Sequence, residues 1–200
     1  MRPRRFIPAL IVAVLAMTPA APAAAKPAYR YPLRGPHSYG DLAVTGFGVS
    51  RADGSVHTGQ DILAECGTPI VAAHGGFIKS AGYSQGYGFY VVLGGKGTRF
   101  DFVYGHMKGR SWQRRRKPVH AGQRLGSVGQ TGTDSGVCHL HFELWSGRWF
   151  AGGSRTDPLP HLEAWDQYSG GPLTEAPAPV AQNSAGTRAA SESLYLDSAE

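Results

Sequence analysis

Gly129-Gln130-Thr131-Gly132-Thr133-Asp134-Ser135-Gly136-Val137-Cys138-His139-Leu140-His141-Phe142-Glu143-Leu144-Trp145 is a turn-rich approach that runs into a short alternating segment. From His139 to Leu144, three polar residues (His139, His141, Glu143) alternate with three apolar ones (Leu140, Phe142, Leu144). A period of two marks a half-buried strand, whose successive side chains leave on opposite faces. Both imidazoles are therefore expected on one face. Two imidazoles so close on a rigid strand can share a metal ion, or one can bind it while the other handles protons. The same pattern also describes a strand with a merely polar face, and this stretch alone does not separate the readings.

A second cluster lies far upstream, Val56-His57-Thr58-Gly59-Gln60-Asp61-Ile62, with an imidazole and a carboxylate four residues apart. A helix would bring such a pair onto one face, but Gly59 and β-branched Thr58 disfavour one. A fully extended strand would separate them by about 13 Å, at roughly 3.3 Å per residue, too far for a shared ion. A bend near Gly59 is implied if the two act together. The alternative is a surface turn whose His and Asp only hydrogen-bond.

The ordered set His57-x-Gly59-x-Asp61, then Tyr104-Gly105-His106-Met107, then Gly129-x-Thr131-Gly132 followed by His139-Leu140-His141-Phe142-Glu143 resembles the zinc metallopeptidases of the lysostaphin and LytM type. The resemblance spans roughly residues 31–160. It implies an antiparallel β fold with a zinc site in a groove above the sheet. It further implies zinc held by His57, Asp61 and His141, with His139 and His106 as the two catalytic histidines. In that assignment His139 is the base and His106 holds the tetrahedral intermediate, although the two could be exchanged. One departure is visible. The family commonly carries Thr-Gly-Pro before the His-Leu-His run, whereas Ser135-Gly136-Val137-Cys138 intervenes here, a longer loop that carries a thiol.

The rest of the chain agrees with an all-β domain. Short β-rich runs (Phe89–Leu93, Phe100–Tyr104, Val119–Val128) are separated by turns such as Gly94-Gly95-Lys96-Gly97, and the first two are expected to form a hairpin around that turn. Its second strand would deliver His106 to the site. No long amphipathic repeat is present, so little helix is expected. His37, His74, His120 and His161 lie outside any motif and are expected to be structural or surface residues. Serine-hydrolase chemistry is not expected, and the His-Glu-x-x-His helix of the commoner metalloproteases is absent.

Residues 1–25 read as an export signal: Arg2, Arg4 and Arg5, an apolar run from Phe6 to Met17, then Ala23-Ala24-Ala25 as the cleavage site. The apolar run is too short for a spanning helix, so stable membrane insertion is not expected. The folded domain is expected over residues 26–170, with 16 basic and 10 acidic groups, a net of +6. A basic exported domain suits an anionic polymer such as the bacterial cell wall. Nucleic acid is a poor partner, since no recognition helix or aromatic-interleaved motif is present. The run Arg114-Arg115-Arg116-Lys117 is read as a solvated loop. Residues 171–200, rich in Gly, Pro, Ala, Ser and Glu, are expected to be a disordered tail. The two cysteines of an exported chain, Cys66 and Cys138, are expected to pair. A secreted, monomeric zinc endopeptidase that cuts peptidoglycan cross-links is the expected function. The alternative is an inactive wall-binding or hydrolase-regulating module of the same fold; such modules usually lack one or more of the five site residues, and all five are present here.

Overall fold

A computed structural model describes residues 28–132 and 136–169, so the expected export signal and C-terminal tail lie outside the described residues. The domain is an antiparallel β fold, as the alternation in the sequence predicts. In chain order the elements are α1 (Leu42–Thr45), β1 (Gln60–Leu63), β2 (Pro69–Val71), β3 (Gly76–Ser84), β4 (Gly88–Gly95), β5 (Phe100–Met107), β6 (Pro118–Val119), β7 (Arg124–Ser127), β8 (His139–Ser146), β9 (Ser154–Thr156) and α2 (Leu159–Ser169). A seven-stranded sheet runs β1-β8-β5-β4-β3-β6, with β9 also on β8, and β2 and β7 form a separate two-stranded sheet.

The strand over His139–Ser146 is the axis of the molecule. It pairs with β5 along most of its length and with β1 through Asp61↔His141 and Leu63↔His139. Its apolar set, Leu140, Phe142 and Leu144, is fully buried on one face. There it joins Ile62, Phe102 and Tyr104 in the main core, which Tyr31, Ile70, Leu125 and Leu162 complete. The expected hairpin is present as β4 and β5, with Leu93 opposite Phe102. The run expected as one strand over Val119–Val128 is divided into β6 and β7, which pair with different partners, β3 and β2.

Helix α2 closes the core. Asp157 Oδ1 accepts from Leu159 N (2.9 Å) at its start, and Trp165 stacks on Tyr29 (ring centroids 5.1 Å) and meets Phe142 edge-on (6.2 Å). The polar set of β8 occupies the other face of the sheet. That face carries His139, His141 and Glu143 and then a small second core of Tyr87, Val92, Val103 and Trp145.

Cys66 and Cys138 form a disulfide across 72 residues. It joins the segment after β1 to the residue before His139, so the two strands that carry Asp61 and His141 are tied both by hydrogen bonds and covalently. Of the unassigned histidines, His37 is buried and stacks on Tyr31 (4.2 Å), whereas His120 is exposed. No helix among the described residues is long and apolar enough to cross a membrane.

Candidate metal centre and active site

Asp61 and His141 face each other across the β1–β8 pair, so their side chains leave the sheet side by side. His57 reaches them from the loop before β1. The bend between His57 and Asp61 depends on Gly59: a Cβ there would lie 2.5 Å from Phe142 O and 2.9 Å from the His141 ring. No larger residue fits without moving β8. His57 itself is fixed by the turn at α1, where Asp41 caps the helix and Gly46 ends it. The Gly46 carbonyl accepts from His57 Nδ1–H (2.7 Å).

His57 Nε2, Asp61 Oδ1 and His141 Nδ1 converge. The separations are 3.1 Å (His57 to Asp61), 2.9 Å (His141 to Asp61) and 3.0 Å (His57 to His141). All three residues are buried, and they are the one group among the described residues whose His, Cys, Asp or Glu donors could hold a metal ion. The outer ring nitrogens decide the character of the inner ones. His57 Nδ1 must carry a proton to donate to a carbonyl, and His141 Nε2 must carry one to donate to Glu143 Oε1 (3.2 Å). Two lone pairs and a carboxylate oxygen are then left at about hydrogen-bond distance around one point. Such an arrangement is repulsive without a cation or an added proton between them. Two imidazoles and one carboxylate are a zinc donor set that leaves a fourth position open.

Electrostatics gives the same picture for the metal-free cluster. Burial opposes charge on His141, but hydrogen bonds and attraction from Asp61 and Glu143 outweigh it and raise its pKa to about 9. Burial likewise pushes the Asp61 carboxyl up, and its hydrogen bonds with His141 and His57 overcome this and hold it well below the carboxylate range. The metal-free cluster therefore keeps a proton where a metal ion would sit. Arg51 Nη2 contacts the other oxygen, Asp61 Oδ2 (3.3 Å), leaving Oδ1 directed to the cluster.

Glu143 holds His141 in place. Its carboxylate is fully buried and accepts from Thr58 Oγ1 (2.5 Å), Tyr87 OH (2.9 Å) and His141 Nε2–H on Oε1, and from Trp145 Nε1 (2.6 Å) on Oε2. The alternation in β8 placed Glu143 between His141 and Trp145 on one face but gave no sign of the Thr58 and Tyr87 donors, which come from two other segments.

His139 and His106 stand beside the cluster with ring centroids 4.6 Å apart. Each has its outer nitrogen committed: His139 Nδ1–H donates to Val137 O (3.0 Å) and His106 Nδ1–H to Thr131 O (2.7 Å). Both therefore present an Nε2 lone pair inward. Burial lowers both pKa values, that of His106 to about 3 with further repulsion from His139 and His141. His106 owes its position to a bulge. The β4–β5 register shifts between Phe89 and Val91, so Gly105 and His106 together oppose Tyr90, and His106 adopts φ +56°. Strict alternation from Tyr104 would send the imidazole into the core. The bulge turns it to the site face instead, at a backbone cost of about 1–2 kcal/mol for a left-handed non-glycine residue.

The five residues singled out in the sequence thus lie together. The run Gly82-Tyr83-Ser84-Gln85-Gly86 has the spacing of a serine nucleophile elbow, which the sequence reading overlooked. It ends β3 and enters the β3–β4 turn rather than a strand-to-helix elbow, and Ser84 Oγ accepts from Tyr87 N (3.2 Å).

The sequence model of peptidase family M23 matches residues 55–158. A lipoprotein NlpD/LppB homolog of Pseudomonas aeruginosa is 35% identical over 116 residues, which cover 58% of this chain and 36% of that protein. An L-Ala–D-Glu endopeptidase of Bacillus subtilis is 29% identical over 156 residues, covering 70% of this chain and 44% of that protein. The chain spans less than half the length of these curated relatives. The catalytic domain of the antimicrobial peptidase lysostaphin from Staphylococcus simulans superposes with a TM-score of 0.53 at 30% identity, over 59% of this chain and 89% of that one.

Proposed function

Because the chain belongs to peptidase family M23, we propose that it is a secreted zinc endopeptidase that hydrolyses peptide bonds in peptidoglycan cross-links. The observation that carries this reading is the convergence of His57 Nε2, Asp61 Oδ1 and His141 Nδ1 beside the inward lone pairs of His139 and His106. His57, Asp61 and His141 would hold the metal. A zinc ion there supplies a Lewis acid that polarises the scissile carbonyl and makes water a nucleophile near neutral pH.

The protein's own groups then handle protons and charge. His139 is neutral at physiological pH because burial disfavours its charged form, so its Nε2 can accept a proton from the attacking water. Its Nδ1–H bond to Val137 O keeps that nitrogen available. His106 enters as an acceptor on Nε2 and can donate to a developing oxyanion only as an imidazolium. Negative charge developing beside His106 would favour that form, while the proton that His139 takes from the water passes to the leaving amine. The carboxylate of Glu143 fixes the His141 ring and the Arg51 contact orients Asp61, so neither ligand need reorganise during the reaction.

The test is digestion of purified cell walls of known cross-link type by the mature protein, with and without a chelator. New amino groups, fragments assigned by mass spectrometry, and loss of both on zinc removal with recovery on its return are expected. Walls left intact by zinc-loaded protein would refute the reading.

A further inference from the structure

We propose that a basic furrow at the far end of the site-bearing sheet face is a docking surface for an anionic polymer of the cell wall, a chain of repeated phosphate or carboxylate groups. The choice of a wall polymer rests on the proposed substrate, but the surface itself is argued from its own residues. Asp101 stands opposite Trp145 on the β5–β8 pair, on the same face as His141, whose β5 partner is Gly105. Four residues of strand separate the two positions, about 13 Å. The furrow opens there, lined by Phe77, Lys79, Thr98, Arg99, Asp101 and Arg148.

Three lining segments bring positive charge to it: β3, the β4–β5 turn and the loop after β8. Lys79 crosses β4 to reach Asp101 (Nζ to the two carboxylate oxygens, 2.6 and 2.8 Å), which it can do because residue 94 is glycine: a Cβ there would lie 2.5 Å from Lys79 Cε. Arg99 and Arg148 come from the β4–β5 turn and the loop after β8, which are joined by Gly147 N to Arg99 O (2.7 Å). The loop Arg114–Lys117 is drawn against β3, where Arg115 Nε donates to Lys79 O (3.0 Å) and Arg116 N to Ile78 O (2.7 Å). That run, read from the sequence as a solvated loop, thus lies against β3 and adds positive charge beside the furrow.

Among the described residues the charge of the arginines is not neutralised, and Lys79 alone of the lining cations is paired, with Asp101. Asp101 is the one acid lining the furrow, and its oxygens are taken by Lys79 and by Trp149 N (2.8 Å). Arg99, Arg115 and Arg148 are exposed and form no ion pair among the described residues. Cations that share one surface without an acidic partner repel one another, and a polyanion relieves that repulsion. Phe77 is 45% exposed and offers the polymer backbone an apolar contact. The furrow is open and its basic groups are spread over three segments, which suits a chain rather than a single small anion. A wall strand held here would keep further peptide within reach of the histidines.

The test uses the full mature chain carrying His139→Ala, which keeps binding separate from cleavage, with and without Arg99→Ser, Arg115→Ser and Arg148→Ser together. Binding to purified walls by co-sedimentation, and to inorganic polyphosphate and poly-γ-glutamate by anisotropy, should be strongly salt-dependent. The triple replacement should weaken it at least tenfold and lower the log–log salt slope by about 2–3, near one for each phosphate that the arginines no longer neutralise. All three side chains are exposed and only Arg115 gives up a hydrogen bond, to Lys79 O, so the melting temperature should fall by no more than a few degrees. The reversal Arg99→Glu with Arg148→Glu should abolish binding. With His139 intact, the arginine replacements should leave cleavage of a short uncharged peptide unchanged. Loss of binding when wall phosphate polymers are stripped with hydrofluoric acid assigns phosphate as the ligand, and retention with binding to poly-γ-glutamate assigns carboxylate. Wall and polyanion binding equal to that of the parent in both arginine variants would overturn the proposal. A chain that binds through these arginines but cuts no wall would sink the catalytic reading and leave this one standing.

Discussion

Replacing Glu143 by Gln should disable the metal centre without touching a proposed ligand. Four donors meet this buried carboxylate: Thr58 Oγ1, Tyr87 OH and His141 Nε2–H on Oε1, and Trp145 Nε1–H on Oε2. A carboxylate accepts them all, whereas an amide offers one acceptor oxygen and two N–H donors. With its oxygen toward Thr58, Tyr87 and His141, the amide nitrogen would face the indole N–H across 2.6 Å, donor against donor. The opposite rotamer sets three donors against it. Tyr87 cannot help by ionising, because burial and the Glu143 charge hold its phenol above the ordinary range. One buried unsatisfied donor costs about 1–3 kcal/mol, with more lost as charge-assisted bonds become neutral, so a destabilisation of about 2–4 kcal/mol is expected. With its anchor reduced from an anion to a neutral amide, His141 should bind zinc about 10–100-fold more weakly. Urea unfolding of the chelator-treated protein isolates the first effect and competition with a fluorescent zinc chelator the second. An unchanged unfolding midpoint together with unchanged zinc affinity would refute the assignment of Glu143 as the group that orients His141.

The two histidines of β8 should fail differently: His141→Ala should lose both zinc and activity, while His139→Ala should keep most of its zinc and lose about 10²–10⁴-fold in rate, and equal zinc loss measured by atomic absorption would contradict the roles. Gly59→Ala should lower both the melting temperature and zinc content, because its Cβ would meet Phe142 O at 2.5 Å and the His141 ring at 2.9 Å; wild-type values for both would show that the bend tolerates a side chain. Zinc affinity should depend on pH with a definite sign. His141 in the metal-free cluster has a pKa raised to about 9, so below that value zinc must displace its proton and affinity should climb with pH, by up to about tenfold per unit from this group, flattening above about pH 9; a flat profile in chelator competition would exclude a protonated His141. Reduction of Cys66–Cys138, or its replacement by two serines, should cost about 4 kcal/mol of unfolding free energy by the chain-entropy account for a 72-residue separation, and an unchanged denaturation midpoint would show that the bridge constrains little.

What was legible in the sequence is what local periodicity and chain geometry can express. The alternation over His139–Leu144 gives the strand, its buried face and the shared side of His139, His141 and Glu143, because a strand's period is rigid. The distance between His57 and Asp61 requires a bend, and Gly59 is the residue that permits it. The hairpin of β4 and β5 follows from two β-rich runs around a glycine turn. The division of Val119–Val128 was not visible: β6 and β7 have different partners, and pairing is a property of the whole sheet. Helix α2 was also hidden, since among its described side chains only Leu162 and Trp165 are buried and its helical pattern is correspondingly weak.

His106 marks the limit most sharply. Motif resemblance selected it, yet strand alternation taken alone assigns its side chain to the core beside Tyr104 and Met107. Only the bulge opposite Tyr90, with His106 at φ +56° and its amide bonded to Tyr87 O (2.7 Å), aims it at the site. That conformation is held from three sides, by the Tyr87 carbonyl, by the Thr131 carbonyl on Nδ1 and by Thr131 Oγ1, which donates to Met107 O (2.7 Å). Thr131 belongs to the approach to β8, so the segment that carries His139 and His141 also locks the imidazole delivered by β5. The Cys66–Cys138 bridge ties the far end of that approach. The departure from the family pattern in this loop therefore falls between two fixed points, Thr131 on His106 and Cys138 on Cys66, and the imidazoles of His106 and His139 keep their outer nitrogens bonded to its carbonyls.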